Sequence, residues 1–514
     1  MLESFTHLAS AFATMATVTT LLNVILATLF GIVIGALPGL TATMGIALLT
    51  TLTYKFEPNQ AILVLIGCYV GAIYGGSRTA ILLNIPGTPA NAATTLDGFP
   101  LARSGRGGEA MGLATMASVI GTLVGVLALA VVAPILADFA LGFGSYEYFW
   151  LAIFGIVIAG QMTAFDDPLK GWIAGVLGLL VAMIGQDGLH AHARFTFGST
   201  ELAGGIALIP ALVGAFGFAE VLSVLRERRA ELATRTVGRI WPGFAKLWQY
   251  KRTIGRSGVI GTIVGIIPGV GEDIGAWVSY AAARRASAEK EQFGKGSQEG
   301  LISAETGNNA AIPGALIPAL TLAVPGSAPA AVLLAAMFLH GIRPGPTIMI
   351  EQPEFVYGVV WMVVFATLSM GVFGLLLTRP LLLVLRIPRE RLMPVVFVLC
   401  VIGPYAITQR LFDVWVMLAF GVIGYVLRRM SYPMAPLVLG IILGDLLDKN
   451  LRRALMLADG DPTPFLTRPI SMVLWVTTAA LLVFGMAPVR RALTRLAGMA
   501  RRRRGARDAD QPVQ

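Results

Sequence analysis

Residues 31–45 read GIVIGALPGLTATMG, and residues 261–275 read GTIVGIIPGVGEDIG. Gly31, Gly35, Pro38, Gly39 and Gly45 of the first phrase align with Gly261, Gly265, Pro268, Gly269 and Gly275 of the second. Proline removes a backbone N–H and disrupts the helix before it, and glycine tolerates the turn that follows. Both phrases lie inside apolar runs. Broken backbone at membrane depth carries N–H and C=O groups that lipid cannot satisfy, so each break must face protein or a water-filled cavity.

The composition supports a membrane setting. The chain of 514 residues is 56% hydrophobic and only 13% charged, with a mean hydropathy of +0.75. A soluble domain carries about twice that charge. Apolar stretches at 109–137, 145–160, 169–186, 355–378 and 470–487 approach or exceed the length needed to cross about 30 Å of hydrocarbon as helices. No alternating pattern of barrel strands appears. The fold class expected is an all-α polytopic membrane protein. Cys68 and Cys400 lie in apolar runs without metal or redox spacing and read as buried small hydrophobes. The net charge of +10 is assigned to basic loops on one membrane face, not to nucleic acid. The first 54 residues contain no Lys or Arg, so a signal peptide's positive n-region is missing and the apolar start is expected to be retained.

Charge sets the expected orientation. Residues 224–257 hold nine Lys/Arg and residues 488–514 hold eight Arg, which places both segments in the cytoplasm and the N-terminus outside. If each Pro-Gly phrase is the tip of a re-entrant hairpin, residues 18–54 enter and leave from outside, and residues 258–283 from inside. Spans near 60–76, 109–137, 145–160, 169–186 and 204–223 follow the first hairpin. Spans near 302–322, 355–378, 392–408, 412–428 and 433–446 follow the second, and an extra helix at 470–487 leaves the Arg-rich tail inside. Lys449, Arg452 and Arg453 fall on the outer side, against the rule. The halves have one order and opposite orientation, as in the inverted-topology repeats of many secondary transporters. The expected architecture is two such repeats with discontinuous helices and re-entrant hairpins, about 11 full spans plus hairpins. Its parts are a first repeat (1–223), a basic cytoplasmic linker (224–257), a second repeat (258–453), an extra C-terminal transmembrane helix (454–487) and a basic cytoplasmic tail (488–514).

Four Pro-Gly breaks interrupt apolar segments: Pro38-Gly39, Pro86-Gly87, Pro268-Gly269 and Pro325-Gly326. The half-helix after each break presents free N–H groups and a partial positive charge suited to a carboxylate. The half-helix before it offers carbonyls to a small cation. A single Pro-Gly would read as a kink or packing site. Four of them, paired across two halves beside hydroxyl, amide or acidic residues, read as a site. The polar neighbours are Thr41, Thr43, Asn84, Thr88 and Ser327 for substrate, and Glu272 and Asp273 for a coupling cation. Glu305, Asn308 and Asn309 lie within one turn of a predicted span, either as part of a cation site or as a membrane-edge cap. Arg78 is the one cation near a break, either a counter-charge for an anion or a side chain that snorkels to the surface. His190 and His192, with no carboxylate in the pattern, form a weak metal signal in an outer loop. GVGEDIG is neither a dinucleotide nor a Walker fingerprint. No catalytic constellation and no cofactor motif is found, so transport would be driven by an ion gradient or by another subunit.

In this order the motifs resemble the large membrane subunit of the tripartite tricarboxylate transporters, the TctA family. The phrases that carry the resemblance are GALPGLTATMG, YGGSRTAILLNIPGTPA with LDGFPLARSG, GIIPGVGEDIGAWVSY, FGKGSQEG, ETGNNAAIPGALIPALTLAVPGSAPAAVLL and GIRPGP. The resemblance implies a multi-pass permease of the bacterial inner membrane, with no enzymatic activity. It would act with a small four-helix membrane subunit and a periplasmic solute-binding protein to import di- or tricarboxylates or related organic acids. Sodium or protons would be the coupling ion, a transported sodium being the only metal expected. The N-terminus would then be periplasmic. A single-component organic-anion transporter or a channel acting without a binding protein is the competing expectation.

Overall fold

The computed structural model describes residues 2–37, 39–164, 167–188, 190–226, 240, 243–377, 380, 389–486 and 489. The first half comprises α1 (Leu2–Met15), α2 (Val18–Ala36), α3 (Ala42–Leu52), α4 (Pro58–Leu83), α5 (Ala92–Leu101), α6 (Gly107–Ala140), α7 (Ser145–Thr163), α8 (Pro168–Ala182) and α9 (Leu208–Arg226). The second comprises α10 (Lys251–Ile266), α11 (Gly271–Ala286), α12 (Gln298–Leu322), α13 (Ala328–Leu339), α14 (Pro353–Leu376), α15 (Arg389–Thr408), α16 (Leu411–Arg429), α17 (Met434–Leu457) and α18 (Pro469–Gly485). Among the described residues the only strands are β1 (Gly185–Gln186) and β2 (Ala193–Arg194), which pair antiparallel. The chain is an all-α membrane protein.

The two Pro-Gly phrases form corresponding hairpins, α2–α3 and α10–α11. Leu37 and Ile267 end their first limbs with extended ψ values of 111° and 123°. Gly39 (φ 93°) and Gly269 (φ 70°) then adopt the left-handed region that the turn requires. In each hairpin the first limb lies directly on the long helix that follows. A Cβ on Gly31 or Gly35 would lie 2.3 or 1.9 Å from the carbonyl oxygens of Cys68 or Ala72 on α4. On Gly261 or Gly265 it would lie 2.1 or 2.4 Å from those of Gly307 or Ala311 on α12. Such backbone contact is how helices associate where lipid supplies no hydrophobic drive.

The long helices also end alike. Asn84 and Ala323 take left-handed conformations of φ 57°, ψ 30° and φ 54°, ψ 29°. Ile85 and Val324 donate their N–H groups to the carbonyls of Thr79 and Pro318. Gly87 N–H bonds Gly76 O at 3.2 Å, and Gly326 N–H bonds Ala315 O at 3.4 Å. Backbone groups freed by the breaks are thus partly taken up by the preceding helix, as burial demands. The halves interlock: α6 packs on α12 and α14 on α4, while α3 packs on α13 and α11 on the segment around α5.

Seven described segments are long and apolar enough to cross a membrane, against about 11 expected: α2, α4, Pro89–Ala140, α9, α14, Arg391–Thr408 and α16. Four further apolar helices, α3, α8, α13 and α18, have only 10–17 residues. The 25-residue α12 is long enough but carries Glu299, Glu305, Asn308 and Asn309, all buried by neighbouring helices. Its polar residues lower its hydropathy.

Several boundaries differ from the sequence reading. Helix α8 stops at Ala182, not at 186, because Gly185 (φ 121°) opens the strand pair. Helix α10 begins at Lys251, inside the segment read as linker, where Thr253 Oγ1 donates to Glu299 Oε1 of α12 at 2.5 Å. Most of the remaining linker and the basic tail lie outside the described residues. Helix α17 runs to Leu457, well beyond 446. Its basic residues are largely paired there: Lys449 with Asp445 (2.7 Å), and Arg452 with Asp448 (3.0 Å) and Asp187 (3.3 Å). Asp187 also lies 4.0 Å from His190 Nδ1, a carboxylate neighbour that the sequence pattern did not reveal. Helix α18 is held by buried Glu147, which accepts from Arg468 Nε and Ser471 Oγ, both at 2.9 Å.

Valine at Gly35 or Gly265 should destabilise the fold by about 1–3 kcal/mol or more through overpacking. Thermal denaturation of the detergent-purified protein measures this, and unchanged melting in both variants would contradict the close helix contacts.

Candidate functional site

The tips and the breaks converge on one cavity of about 360 Å³. Thr41 and Thr43 enter it from the first tip, Glu272 and Asp273 from the second, Thr88 and Pro89 from the end of the first break, and Ala328 and Pro329 from the start of the half-helix after the second. Three helices, α3, α11 and α13, therefore begin at the wall. Helix N-termini leave backbone N–H groups without intrahelical partners and concentrate partial positive charge. Two of them are capped by hydroxyls: Thr41 Oγ1 accepts from Met44 N–H at 3.2 Å, and Ser327 Oγ from Ala330 N–H at 3.3 Å. The rest of the wall includes Thr163 of α7, Phe216 of α9, Arg428 of α16 and Met434 of α17.

Both signs of charge meet there. Arg428 Nη1 donates to Glu220 Oε2 at 3.0 Å, and its guanidinium lies 5.9 Å from the Phe216 ring centre. The ion pair fixes one edge of the fork at the cavity's margin. Opposite in sign, Glu272 is 2% exposed, and Asp273 beside it is exposed. Tyr69 of α4 donates its hydroxyl to Glu272 Oε2 at 3.0 Å and shares a 2.7 Å hydrogen bond with Ser327 Oγ. The carboxylate is thereby connected to the cap of the half-helix beyond the second break.

The sequence-predicted residues divide by position. Thr41, Thr43, Thr88, Glu272 and Asp273 line the cavity. Gly39, Pro268, Gly269, Asn84, Pro86, Gly87, Pro325, Gly326 and Ser327 build the turns around it without belonging to its lining. Pro38 lies outside the described residues. Arg78 neither lines the cavity nor reaches the surface. It is 1% exposed, with Nη2 donating to Thr115 Oγ1 (2.9 Å) and Gly374 O (3.1 Å), and its guanidinium is 4.3 Å from the Tyr74 ring centre. The small surfaces of α6 and α14 enclose it before its stem can reach water.

Glu305 is fully buried in α12, which removes the membrane-edge cap as a description of its position. It accepts from Thr94 Oγ1 at 2.5 Å and Ser118 Oγ at 2.9 Å. Asn309 donates to Asn308 Oδ1 at 2.7 Å, and Asn308 donates to Ala90 O at 3.2 Å. Asn91 in turn accepts from Thr88 Oγ1 at 2.5 Å and donates to Ile73 O at 3.0 Å. The Glu305 cluster sits behind the cavity and braces the half-helix after the first break.

Arg428, Phe216 and Tyr69 were not singled out in the sequence. Arg428 reads there as a basic residue at a span end. Phe216 lies in a π-helical stretch, Val213–Phe218, a feature common at functional sites but without a sequence signature. Asp97, inside LDGFPLARSG, anchors the FGKGSQEG loop. Its Oδ1 accepts from the N–H groups of Gly294, Gly296 and Ser297 at 2.8–2.9 Å, and Oδ2 from Tyr280 Oη at 2.8 Å.

A helical membrane protein with discontinuous helices around a cavity of small-molecule size has the build of a transporter component. The chain matches the tripartite tricarboxylate transporter TctA family over residues 21–439 and belongs to that family. It is 36% identical over 489 residues to a protein of Agrobacterium vitis described as an uncharacterized 52.8 kDa protein in the TAR-I ttuC' 3' region, covering 95% of this chain and 97% of the relative. A second Agrobacterium vitis protein, described as an uncharacterized protein in the TAR-II ttuC' 3' region, is 36% identical over 211 residues, 41% of this chain and 87% of the relative. No solved structure matches the chain.

Replacing Asp97 with Ala leaves buried donors without an acceptor and should cost about 3 kcal/mol. Limited proteolysis should then cut residues 290–297 faster than in the parent protein; equal rates would contradict the anchoring role.

Proposed function

We propose that this chain is the permease subunit of a binding-protein-dependent secondary transporter that imports a di- or tricarboxylate or a related organic acid. The observation that carries the reading is the single cavity reached by both hairpin tips and by the segments after both breaks, with Arg428 at its edge. Substrate carboxylates bind at the N-termini of α3 and α13, held by backbone N–H groups, Thr41, Thr43, Thr88 and Arg428. The turns of Gly39, Asn84, Pro86, Gly87, Pro268, Gly269, Pro325, Gly326 and Ser327 set their position. A sodium ion or proton binds at Glu272 and Asp273, and Glu305 with Asn308 and Asn309 transmits the change to the first break. No other cofactor takes part.

The halves are an inverted-topology repeat in the bacterial inner membrane, with a periplasmic N-terminus and a cytoplasmic C-terminus. The matched hairpins and breaks support this, because the same backbone contacts recur at corresponding residues. In this orientation Thr163, Arg428 and Met434 lie at the inner ends of their helices, so the cavity opens inward and alternating access moves it to the other face. A small four-helix membrane subunit and a periplasmic solute-binding protein complete the system.

Arg428→Gln removes a charge-assisted contact of about 1.5–3 kcal/mol, so the KM for carboxylate uptake should rise roughly ten- to hundredfold. The assay is uptake into proteoliposomes holding the small subunit, with the binding protein supplied outside; an unchanged KM would remove Arg428 from the site. Glu272→Gln should abolish gradient-driven accumulation while preserving substrate exchange. Accumulation in the parent protein that persists after both sodium and proton gradients are collapsed would refute ion coupling.

A further inference from the structure

A second cavity, of about 390 Å³, lies beyond the second break. Its wall includes Tyr148 of α7, Ala323 at the end of α12, Gly345 and Thr347 of the loop after α13, and Asn450 and Arg453 of α17. The residues 324–327 stand between it and the central cavity: Ala323 lines one, Ala328 the other. Two helices join the cavities lengthwise. Helix α7 runs from Tyr148 in the second cavity to Thr163 in the central one, and α17 from Asn450 to Ala435. At 1.5 Å per residue, each separation is about 20 Å.

The wall carries donors and no carboxylate. Arg453 is exposed and, among the described residues, has no acidic partner, whereas Lys449 and Arg452 of the same helix are paired. The Tyr148 hydroxyl is enclosed and has no hydrogen-bond partner among the described residues. A guanidinium fork matches a carboxylate in bidentate fashion, and low-dielectric walls focus its field. The volume falls within the range of small-molecule sites.

We propose that this cavity is a receiving site for the carboxylate substrate on the periplasmic side, with Arg453 and Tyr148 as its donors. The inference rests on the orientation and substrate class proposed above. It assigns a reason for an unpaired basic residue on the outer face, where the charge rule disfavours one. An anion released near the outer surface is held at Arg453, and movement of residues 324–327 admits it to the central cavity.

Cysteine protection tests the site without requiring transport. The native Cys68 and Cys400 are buried. Thr347→Cys reports on the second cavity and Ala435→Cys on the central one, each reacted with an anionic methanethiosulfonate in nanodiscs, with citrate as the probe. Citrate at about ten times its dissociation constant should slow labelling of Thr347→Cys roughly tenfold. Adding Arg453→Gln, or separately Tyr148→Phe, should weaken that protection and leave the protection of Ala435→Cys intact. If citrate protects Ala435→Cys but not Thr347→Cys, the receiving site is refuted and the central site survives. Protection of Thr347→Cys alone supports the receiving site and counts against carboxylate binding in the central cavity. Protection at neither position, or protection of Thr347→Cys that persists undiminished in both donor variants, overturns the proposal.

Discussion

Interrupted backbone in a setting without water governs this fold. Each break exposes peptide groups whose burial without a partner would cost more than most side-chain contacts return. Two provisions follow from that cost. Locally, Asn84 and Ala323 turn left-handed, so the next residues can bond carbonyls of the helix just ended. Globally, the hairpins must press against the long helices, and only glycine at Gly35 and Gly265 permits carbonyls so close. The broken segments are enclosed by other helices because lipid could not enclose them.

The same backbone used twice with different side chains gives a cavity of mixed polarity. Thr43 and Asp273 hold corresponding places after their tips, and both reach the cavity. Hydroxyls and N–H groups suit an anion, whereas carboxylates suit a cation or a proton. One backbone design can therefore hold ligands of opposite sign when the two copies diverge in a few residues. Arg428 comes from outside both hairpins and adds the full positive charge that their tips lack.

The fold class, the hairpin tips and the breaks were legible because proline and glycine act through the backbone, and their effect depends little on tertiary context. The polar part of the cavity wall was legible where it lay beside those breaks, as with Thr41, Thr43, Thr88, Glu272 and Asp273. Tyr69 and Arg428 were hidden for a different reason. Each approaches from a helix distant in sequence, and in a single sequence Tyr69 is one more aromatic in an apolar run. Arg78 shows the converse error, since proximity to a break along the chain did not place it at the cavity. Its direction was decided by α6 and α14, which pack on α4 from far along the sequence.

Corresponding positions on the long helices brace the opposite half. Cys68 and Gly307 occupy equivalent contacts, so the next residues, Tyr69 and Asn308, correspond as well. Tyr69 reaches from the first half to Ser327 at the second break, and Asn308 reaches from the second half to Ala90 after the first. Beyond this exchange the breaks differ. The first is held by Thr88 and Asn91, whose amide donates to Ile73 O, whereas the place matching Asn91 is Ala330, whose side chain can donate nothing. The second break relies instead on Tyr69, which is shared with Glu272. Glu272 and the second break therefore share one hydroxyl, whereas the first break keeps hydrogen bonds of its own. The break tied to Glu272 in this way is the one whose flanking residues, Ala323 and Ala328, line different cavities.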